Sequence, residues 1–406
     1  MNNIKRILSA ILLTSITLCP LASCGVKQPN DTTPSTDTTE DTEKEEQIAL
    51  PEYDFASLDL SPYVKLPANY TQRDYSEGLT LKGTPADADV DEYIKANYLK
   101  SLATETELDS DGVVADLDTV VMDYTGKLDG VAFAGGSATD SKHEISVQNS
   151  TFIDGFDRGL IGMKVGETKD LDLTFPDPYP NNSNLAGKAV VFTVTIDKII
   201  RTVYPELTDA LIAENAKVFG EEIKTTDDLK KAAKEALQKE NESYNDKLIV
   251  ETAWKYLTES SEYISLPTDM LEGYKSTFVK SYEASAVQNG TTLEQYAMTN
   301  GYLSLDDFKQ KVIYSAAEGL LKEKLVLYSA AKELDINVTD EEARTLANDE
   351  FKQYIEPNLS YYTMAYGISD LESYLNSMGG LSAYKENLLF SKVITKVCRI
   401  EDEHAH

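Results

Sequence analysis

The apolar residues between positions 118 and 201 recur with a period of two, and this pattern limits the fold more than any other feature of the chain. Val120, Met122 and Tyr124 alternate with the residues between them, and residues 171–175 and 190–196 repeat the alternation. A period of two is typical of strands that bury one face. Residues 153–160 are better described as a short helix. Glycine, proline and aspartate mark turns between the runs, at residues 128–130, 135–136, 164–166 and 176–178. This section therefore predicts a small antiparallel sheet crossed by one helix.

From residue 204 to residue 400 the apolar residues follow a helical period instead. Leu229, Ala233 and Leu237 are spaced four residues apart. Residues 369–372, Ser-Asp-Leu-Glu, match a helix start in which a hydroxyl and a carboxylate each bond a free amide of the first turn. Prolines at positions 267 and 357 are predicted to separate helices. The fold class predicted for the chain is α+β, with a sheet section followed by a helical domain.

The first 24 residues have the composition of a secretion signal. Lys5 and Arg6 precede a short apolar run, and residues 21–24 read Leu-Ala-Ser-Cys. A run of about twelve apolar residues is too short to span a bilayer, which favours a cleaved signal. The small residues before Cys24 resemble the lipobox of bacterial lipoproteins, in which the thiol is lipidated. We therefore predict an extracytoplasmic protein, anchored through Cys24 to the outer face of the cytoplasmic membrane. An ordinary signal with an incidental cysteine is the alternative.

Composition divides the remainder of the chain and excludes some functions. The section after Cys24 is rich in Thr, Ser, Pro and acidic residues, which predicts a disordered tether. A net charge of −31 argues against nucleic-acid binding. Cys398 would be the one cysteine of a processed chain, and it is predicted to be a buried, inert thiol. The predicted sections are the signal and lipidation site (1–24), the tether (25–49), an N-terminal segment with a linker helix that packs with the helical domain (50–117), the sheet domain (118–203), the helical domain (204–400) and a tail (401–406).

The sheet section resembles the FKBP family of prolyl isomerases, and more closely the version found inside trigger factor. Several short sequences carry the resemblance in family order over about 85 residues. They are Val-Met-Asp-Tyr-Thr-Gly-Lys-Leu-Asp-Gly at 121–130, Phe-Ala-Gly-Gly at 133–136, Phe-Ile-Asp-Gly-Phe-Asp-Arg-Gly-Leu at 152–160, Gly-Met-Lys-Val-Gly-Glu at 162–167, Phe-Pro-Asp-Pro-Tyr at 175–179, Leu-Ala-Gly-Lys at 185–188 and Val-Phe-Thr-Val at 191–194.

The resemblance implies prolyl isomerisation, a reaction that needs no metal or cofactor. The barrier of about 18–20 kcal/mol comes from amide resonance. An apolar aromatic cup can favour the twisted amide over the planar, charge-separated one. By resemblance, Phe156 lies under the proline ring, and Ile153 contributes a wall and a backbone amide. The remaining expected site residues are Tyr124, Phe133 and Phe192 at the sides, Phe152 at the lip and Tyr179 with its hydroxyl at the rim. Ordinary core packing is the alternative for each residue.

Two positions of the expected cup depart from the FKBP pattern. Family members usually have an acidic residue directly after the phenylalanine of the first hairpin, where this chain has Ala134. A further aromatic wall residue would fall near His143, which is smaller and polar. We therefore expect the site to bind proline-containing segments and to catalyse isomerisation, with weak catalysis as the open alternative.

The helical section resembles the C-terminal domain of trigger factor, which implies an elongated helical domain of the trigger factor and SurA type. The helix that begins near Thr226, the Leu266-Pro267 turn and a long helix over residues 305–334 occur in that family's order. Trigger factor's basic ribosome-docking domain has no counterpart among residues 25–85. The expected partners are therefore unfolded or nascent secreted polypeptides with X–Pro bonds, and neither ribosomes nor nucleic acid. A non-catalytic holdase and a solute-binding or adhesin lipoprotein are the alternative functions.

Overall fold

The computed structural model describes residue 48 and residues 50–179 and 181–400, with only the backbone of residues 140–142. The expected signal, Cys24, almost all of the tether and the tail lie outside the described residues. The strands are β1 (Val64–Lys65), β2 (Thr104–Glu107), β3 (Thr119–Leu128), β4 (Val131–Ser146), β5 (Thr168–Thr174), β6 (Ala189–Val203) and β7 (Glu262–Tyr263). The α-helices are α1 (Asp87–Asn97), α2 (Phe156–Leu160), α3 (Asp209–Glu214), α4 (Ala216–Phe219), α5 (Thr226–Ser260), α6 (Thr268–Gln288), α7 (Leu293–Thr299), α8 (Leu305–Phe308), α9 (Ser315–Glu333), α10 (Asp340–Glu350), α11 (Leu359–Tyr366), α12 (Leu371–Ser377) and α13 (Gly380–Cys398).

Contacts along the chain define two compact units. Among the described residues, the sheet unit comprises Thr84–Lys239, and the helical unit comprises those up to Gly83 together with those from Glu240 to Ile400. The boundary between Lys239 and Glu240 lies inside helix α5. The predicted section boundaries were drawn from composition and pattern, whereas these units follow spatial contacts.

The sheet unit contains a five-stranded antiparallel sheet in the order β2-β6-β3-β4, with β5 also paired to β6. β6 is long enough to pair with β5 over its first half and with β2 over its second. The predicted alternation is observed, because Val120 and Met122 of β3 are fully buried, as are Val194 and Ile196 of β6. Helix α2 packs Phe156 and Leu160 into the core that this face forms. The predicted α+β class, with an antiparallel sheet and one short crossing helix, is confirmed.

A second, smaller core of the sheet unit is helical. Val90 and Ile94 of α1 pack with Ile212 of α3, Phe219 of α4 and Leu229 of α5. Helix α1 ends at Asn97, and a 3-10 turn follows it at Leu99–Leu102. Strand β2 then leads the chain into the sheet.

The helical unit is built around helices α5, α6, α9, α10 and α13, which share one large core. The predicted long helix from residue 305 is continuous to Glu333, with a π-helical turn at Lys309–Tyr314 between α8 and α9. Pro267 directly precedes α6, and Pro357 lies in a 3-10 turn before α11, as the proline positions predicted. Among the described residues, no helix combines the length and the apolar composition that crossing a membrane requires.

The N-terminal segment, residues 50–83, is part of the helical unit. Its strand β1 pairs with β7. The ring of Phe55 stacks on Tyr328 at 5.2 Å, and the Tyr70 hydroxyl donates to Glu333 at 3.2 Å. The guanidinium of Arg399 donates twice to the Thr71 carbonyl, at 2.9 and 3.0 Å. The segment therefore contacts residues that lie about 200 or more positions later in the chain.

Two local predictions were wrong. Gly135 and Gly136 were predicted to form a turn, but both lie within strand β4. The helix start expected at Ser369 begins one residue later, because Asp370 accepts a hydrogen bond from the Ser373 amide at 2.8 Å. The separate turn predicted at residues 128–130 is observed, because Asp129 and Gly130 lie between β3 and β4 with φ values of 48° and 80°.

Candidate active site

Phe156 lies at the centre of a group of rings contributed by β3, β4, β6 and the segment before α2. It is the first residue of α2, and its side chain has no exposed surface. The ring centroid of Phe156 is 5.4 Å from that of Phe192 and 6.3 Å from that of Tyr124, and both neighbours meet it nearly edge-on. Edge-to-face geometry is the favoured arrangement of aromatic pairs. We call Tyr124, Phe133, Phe152, Phe156 and Phe192 the aromatic cluster.

Phe133 reaches the aromatic cluster because two glycines leave space for its ring. A Cβ at Gly136 would lie 2.5 Å from the Phe133 ring, and a Cβ at Gly126 would lie 2.8 Å from it. No real side chain could occupy either place without moving the ring. The Phe133 ring consequently lies 6.4 Å from Phe192 and 5.9 Å from Phe175. These close approaches explain why the chain has glycine at positions 126 and 136, although neither residue lies in the turn between β3 and β4.

Phe152 was expected at the lip, and its ring instead lies face to face over Phe156. The two centroids are 3.9 Å apart and the ring planes differ by 12°. The edge of Phe152 also meets Tyr124 at 5.1 Å and Phe192 at 6.2 Å. Phe152 is partly exposed whereas Phe156 is not, so Phe152 separates Phe156 from solvent.

The remaining expected site residues also lie at or beside this cluster. Ile153 packs partly buried against the same core. Among the described residues, no oxygen accepts a hydrogen bond from its amide. Tyr179 contacts Phe175 at 5.0 Å and so joins the cluster through Phe133. All six residues expected to be catalytic are therefore near one another in space, although they come from four separate parts of the chain.

The two departures from the FKBP pattern occupy different surroundings. Ala134 is exposed on β4. His143 is paired with Met122 across the sheet, and its ring meets Tyr124 at 5.2 Å and Phe152 at 5.5 Å, both edge-on. The imidazole therefore lies against two rings of the aromatic cluster. Burial raises the pKa of the Tyr124 phenol, which keeps the hydroxyl of this wall neutral at physiological pH.

Two hydrogen-bonding residues that sequence reasoning missed fix the segment that carries Phe152. The Ser150 hydroxyl bonds the Asp157 carboxylate, and the Ser150 amide donates to the same carboxylate at 3.4 Å. The Phe152 amide in turn donates to the Ser150 hydroxyl at 3.3 Å. Asp157 lies in the first turn of α2, within the family motif at residues 152–160. An acidic residue next to Phe156 was the sequence feature that could have indicated this hydrogen bond.

A buried ion pair secures the opposite end of the same sheet. Asp118 is 2% exposed, and its carboxylate accepts from the Arg201 guanidinium at 2.8 and 2.6 Å. The Ala115 amide donates to it as well, at 2.8 Å. This arrangement ties the start of β3 to β6. It lies outside the aromatic cluster, and we assign it a structural role.

The described residues include no group of three or more His, Cys, Asp or Glu side chains that could hold a metal ion. Cys398 packs against the core of the helical unit, and burial raises the pKa of its thiol to about 12. A thiol of such high pKa is almost entirely protonated at neutral pH and makes a poor nucleophile. The aromatic cluster and its neighbours therefore offer apolar surface, the phenols of Tyr124 and Tyr179, the imidazole of His143 and backbone amides.

Comparison with known proteins assigns both parts of the chain. Residues 111–197 match the family of FKBP-type peptidyl-prolyl cis-trans isomerases, and residues 225–398 match the C-terminus of bacterial trigger factor. A solved structure of the trigger factor chaperone aligns over 83% of this chain and 73% of that one, with 16% identity and a TM-score of 0.38.

Curated relatives match across both parts at once. The trigger factor of Exiguobacterium sibiricum is 31% identical over 362 residues, which cover 86% of this chain and 78% of that protein. The trigger factor of Bacillus pumilus is 30% identical over 84% of this chain and 73% of its own length. The trigger factor of Bacillus subtilis is 31% identical, over 77% and 68%. The chain, with its FKBP-type domain and its trigger factor C-terminal domain, therefore belongs to the trigger factor family.

Proposed function

We propose that the sheet unit catalyses cis–trans isomerisation of X–Pro bonds, and that the helical unit holds the unfolded polypeptides in which those bonds occur. The observation that carries the proposal is the convergence of Tyr124, Phe156 and Phe192 within 6.3 Å of one another. These rings come from β3, α2 and β6, and all three had been expected to line a proline site.

The chemistry follows from the composition of the aromatic cluster. A planar amide is stabilised by charge separation between its oxygen and nitrogen, and an apolar surrounding disfavours that separation. The twisted amide has lost this charge separation, so an apolar surrounding raises its free energy less than that of the planar amide. The barrier to rotation is therefore lower. In this account Phe156 forms the floor under the proline ring, and the free amide of Ile153 donates to a neighbouring substrate carbonyl. Tyr124, Phe133 and Phe192 exclude water from the bond that rotates, and Tyr179 offers its hydroxyl at the rim.

Substitution of Tyr124 tests the isomerase proposal. Tyr124→Ala removes a wall that excludes water from the rotating bond, and we expect kcat/KM for a proline peptide to fall about tenfold or more, which corresponds to a loss of about 1.4 kcal/mol or more of transition-state stabilisation. Tyr124→Phe keeps the ring and is the matched control, with an expected change within about threefold. Exchange spectroscopy on a proline peptide measures both. No acceleration by the unaltered chain above the spontaneous rate would contradict the proposal and leave the holdase alternative.

Exposed apolar side chains of the helical unit support the holding function. Leu303, which precedes α8, is 87% exposed, and Met364 of α11 is 84% exposed. Val287 and Met298 lie exposed near Leu303 in sequence, and Tyr361 and Tyr366 flank Met364 on α11. Exposed apolar groups of this kind are typical of surfaces that bind other chains. Other tyrosines of this unit, such as Tyr274 and Tyr282, are buried in helix seams instead.

We further propose that the protein acts outside the cytoplasm, lipidated at Cys24, away from ribosomes and on secreted clients. The sequence around Cys24 supports this, and the net charge of −31 does not favour binding to ribosomal RNA. We expect the chain to take up a fatty-acid label in a lipoprotein-processing bacterium, and Cys24→Ala to lose the label. Cys398→Ala is the matched control and should keep it. Labelling of the Cys24→Ala variant, or an unlabelled chain confined to the cytosol, would refute the anchoring proposal.

A further inference from the structure

Phe152 occupies the place above Phe156 that the proposed function gives to a proline ring. Its ring lies parallel to Phe156 at 3.9 Å, which is the separation of two rings in direct contact. Phe156 has no exposed surface, so no substrate can reach its face while Phe152 is there. Tyr124 and His143 meet the edge of the same ring at 5.1 and 5.5 Å. Phe152 is thus enclosed by the side chains that would enclose the proline.

We propose that Phe152 is an intramolecular occupant of the proline site, and that a substrate must displace its ring in order to bind. This inference rests on the proposed function only in taking Phe156 as the floor of the site. Two rings cannot cover the same face of Phe156 at once. The ring of Phe152 and the proline of a client therefore compete, and the affinity for substrate is reduced by the fraction of molecules in which the site is closed.

The hydrogen bonds around Phe152 determine which part of it moves. Its amide is held by the Ser150 hydroxyl, and Ser150 is bonded twice to Asp157 of α2. On the other side, the Phe156 amide donates to the Ile153 carbonyl at 3.1 Å. The backbone is fixed on both sides of Phe152, so the ring leaves the site by rotation about its side-chain bonds. Side chains can exchange between staggered rotamers, and Phe152 is already partly exposed to solvent.

The ring contacts make the closed arrangement the favoured one in the free protein. Phe152 contacts Phe156, Tyr124, His143 and Phe192 when closed. Rotation out of the site gives up all four contacts. If about nine molecules in ten are closed, a ligand binds about tenfold more weakly than it would to an empty site. Removing the ring should therefore strengthen binding, whereas removing an ordinary wall residue should weaken it.

The experiment compares Phe152→Ala with Phe133→Ala in the full chain, purified in mild detergent. The probe is the blocked tetrapeptide Ala-Leu-Pro-Phe, and its Kd is measured by calorimetry. We expect Phe152→Ala to bind the probe about tenfold more tightly than the unaltered chain. Phe133→Ala removes a ring that lies beside the site, and we expect it to bind more weakly. Phe152→Leu, which keeps an apolar side chain in the segment, should lie between the unaltered chain and Phe152→Ala.

The sign of the change decides the inference. Weaker binding by both Phe152→Ala and Phe152→Leu would identify Phe152 as a wall of the site and overturn the proposal. Isomerisation measured on the same samples tests the proposed function separately. Tighter binding without any acceleration would support the occupant and refute the isomerase. Acceleration by the unaltered chain, with weaker binding in the Phe152 variants, would support the isomerase and refute the occupant. The absence of probe binding in every variant would overturn both proposals.

Discussion

Replacing Lys324 with methionine is expected to lower the free energy of unfolding of the helical unit by about 3–5 kcal/mol. Lys324 of α9 and Glu386 of α13 have side chains that are only 13% and 11% exposed. The Lys324 ammonium donates to the Glu386 carboxylate at 2.6 Å. The Tyr328 phenol also hydrogen-bonds Glu386, and burial and the carboxylate both raise its pKa, so it stays neutral. A neutral phenol supplies a hydrogen bond but no counter-charge. The variant therefore leaves a carboxylate in the core without a counter-charge.

Chemical denaturation of the variant and of two controls measures this effect. Lys324→Met combined with Glu386→Leu leaves no charge behind, and we expect most of the stability to return. Lys255→Met is the matched exposed control, because Lys255 and Glu259 are 71% and 67% exposed and such pairs contribute about 1 kcal/mol or less. A loss of under about 1 kcal/mol for Lys324→Met alone would show that the pair contributes no more than a surface pair does.

Replacing Phe156 with alanine is expected to destabilise the sheet unit by about 3–5 kcal/mol, because the ring is fully buried and its removal leaves a cavity. Phe192, Tyr124 and Phe152 all lose a contact with it. Hydrogen exchange of the β3 and β6 amides measures the loss in the sheet unit. The core of α9 and α13 belongs to the other unit, and its amides should keep their protection.

Phe152→Ala is the internal comparison for this prediction. Phe152 is partly exposed, so its removal should destabilise the sheet unit by clearly less than the removal of Phe156. Equal losses for the two variants would mean that the two stacked rings are equally part of the core. That result would contradict the assignment of Phe156 as a buried floor beneath a displaceable ring.

Local pattern was sufficient for strands β3, β5 and β6 and for the helix breaks at Pro267 and Pro357. Alternation along β3 and β6 was readable because the side chains of a strand point to opposite faces in turn, whatever the strand packs against. Pro267 before α6 could be placed for a similar reason, since the ring restricts its own residue and the one before it. Gly135 and Gly136 could not be placed this way. Glycine is typical of turns, but Gly136 makes room for the Phe133 ring, and that ring's path depends on tertiary packing. Gly135 instead has a φ of 80° within β4.

The expected site residues came from family resemblance, and their roles stay predictions. The structure brings them together, and it also shows contacts that no motif predicts. Ser150 and Asp157 fasten the segment before α2, and His143 forms a wall against Tyr124. The pairing of Tyr70 with Glu333 and of Phe55 with Tyr328 in the helical unit was likewise absent from any local pattern. Each of these contacts joins residues whose spacing in the chain carries no information about their distance.

The sequence by itself determined the α+β class, the alternating strands, the order of the helices and the types of residue available for a proline site. Those properties depend on the side-chain period and on residues within a few positions of each other. Only the tertiary structure decided that Phe152 lies on Phe156 rather than at the lip. Which of these two apolar rings lies inside is set by the space that three neighbouring rings leave, and those rings come from β3, β4 and β6.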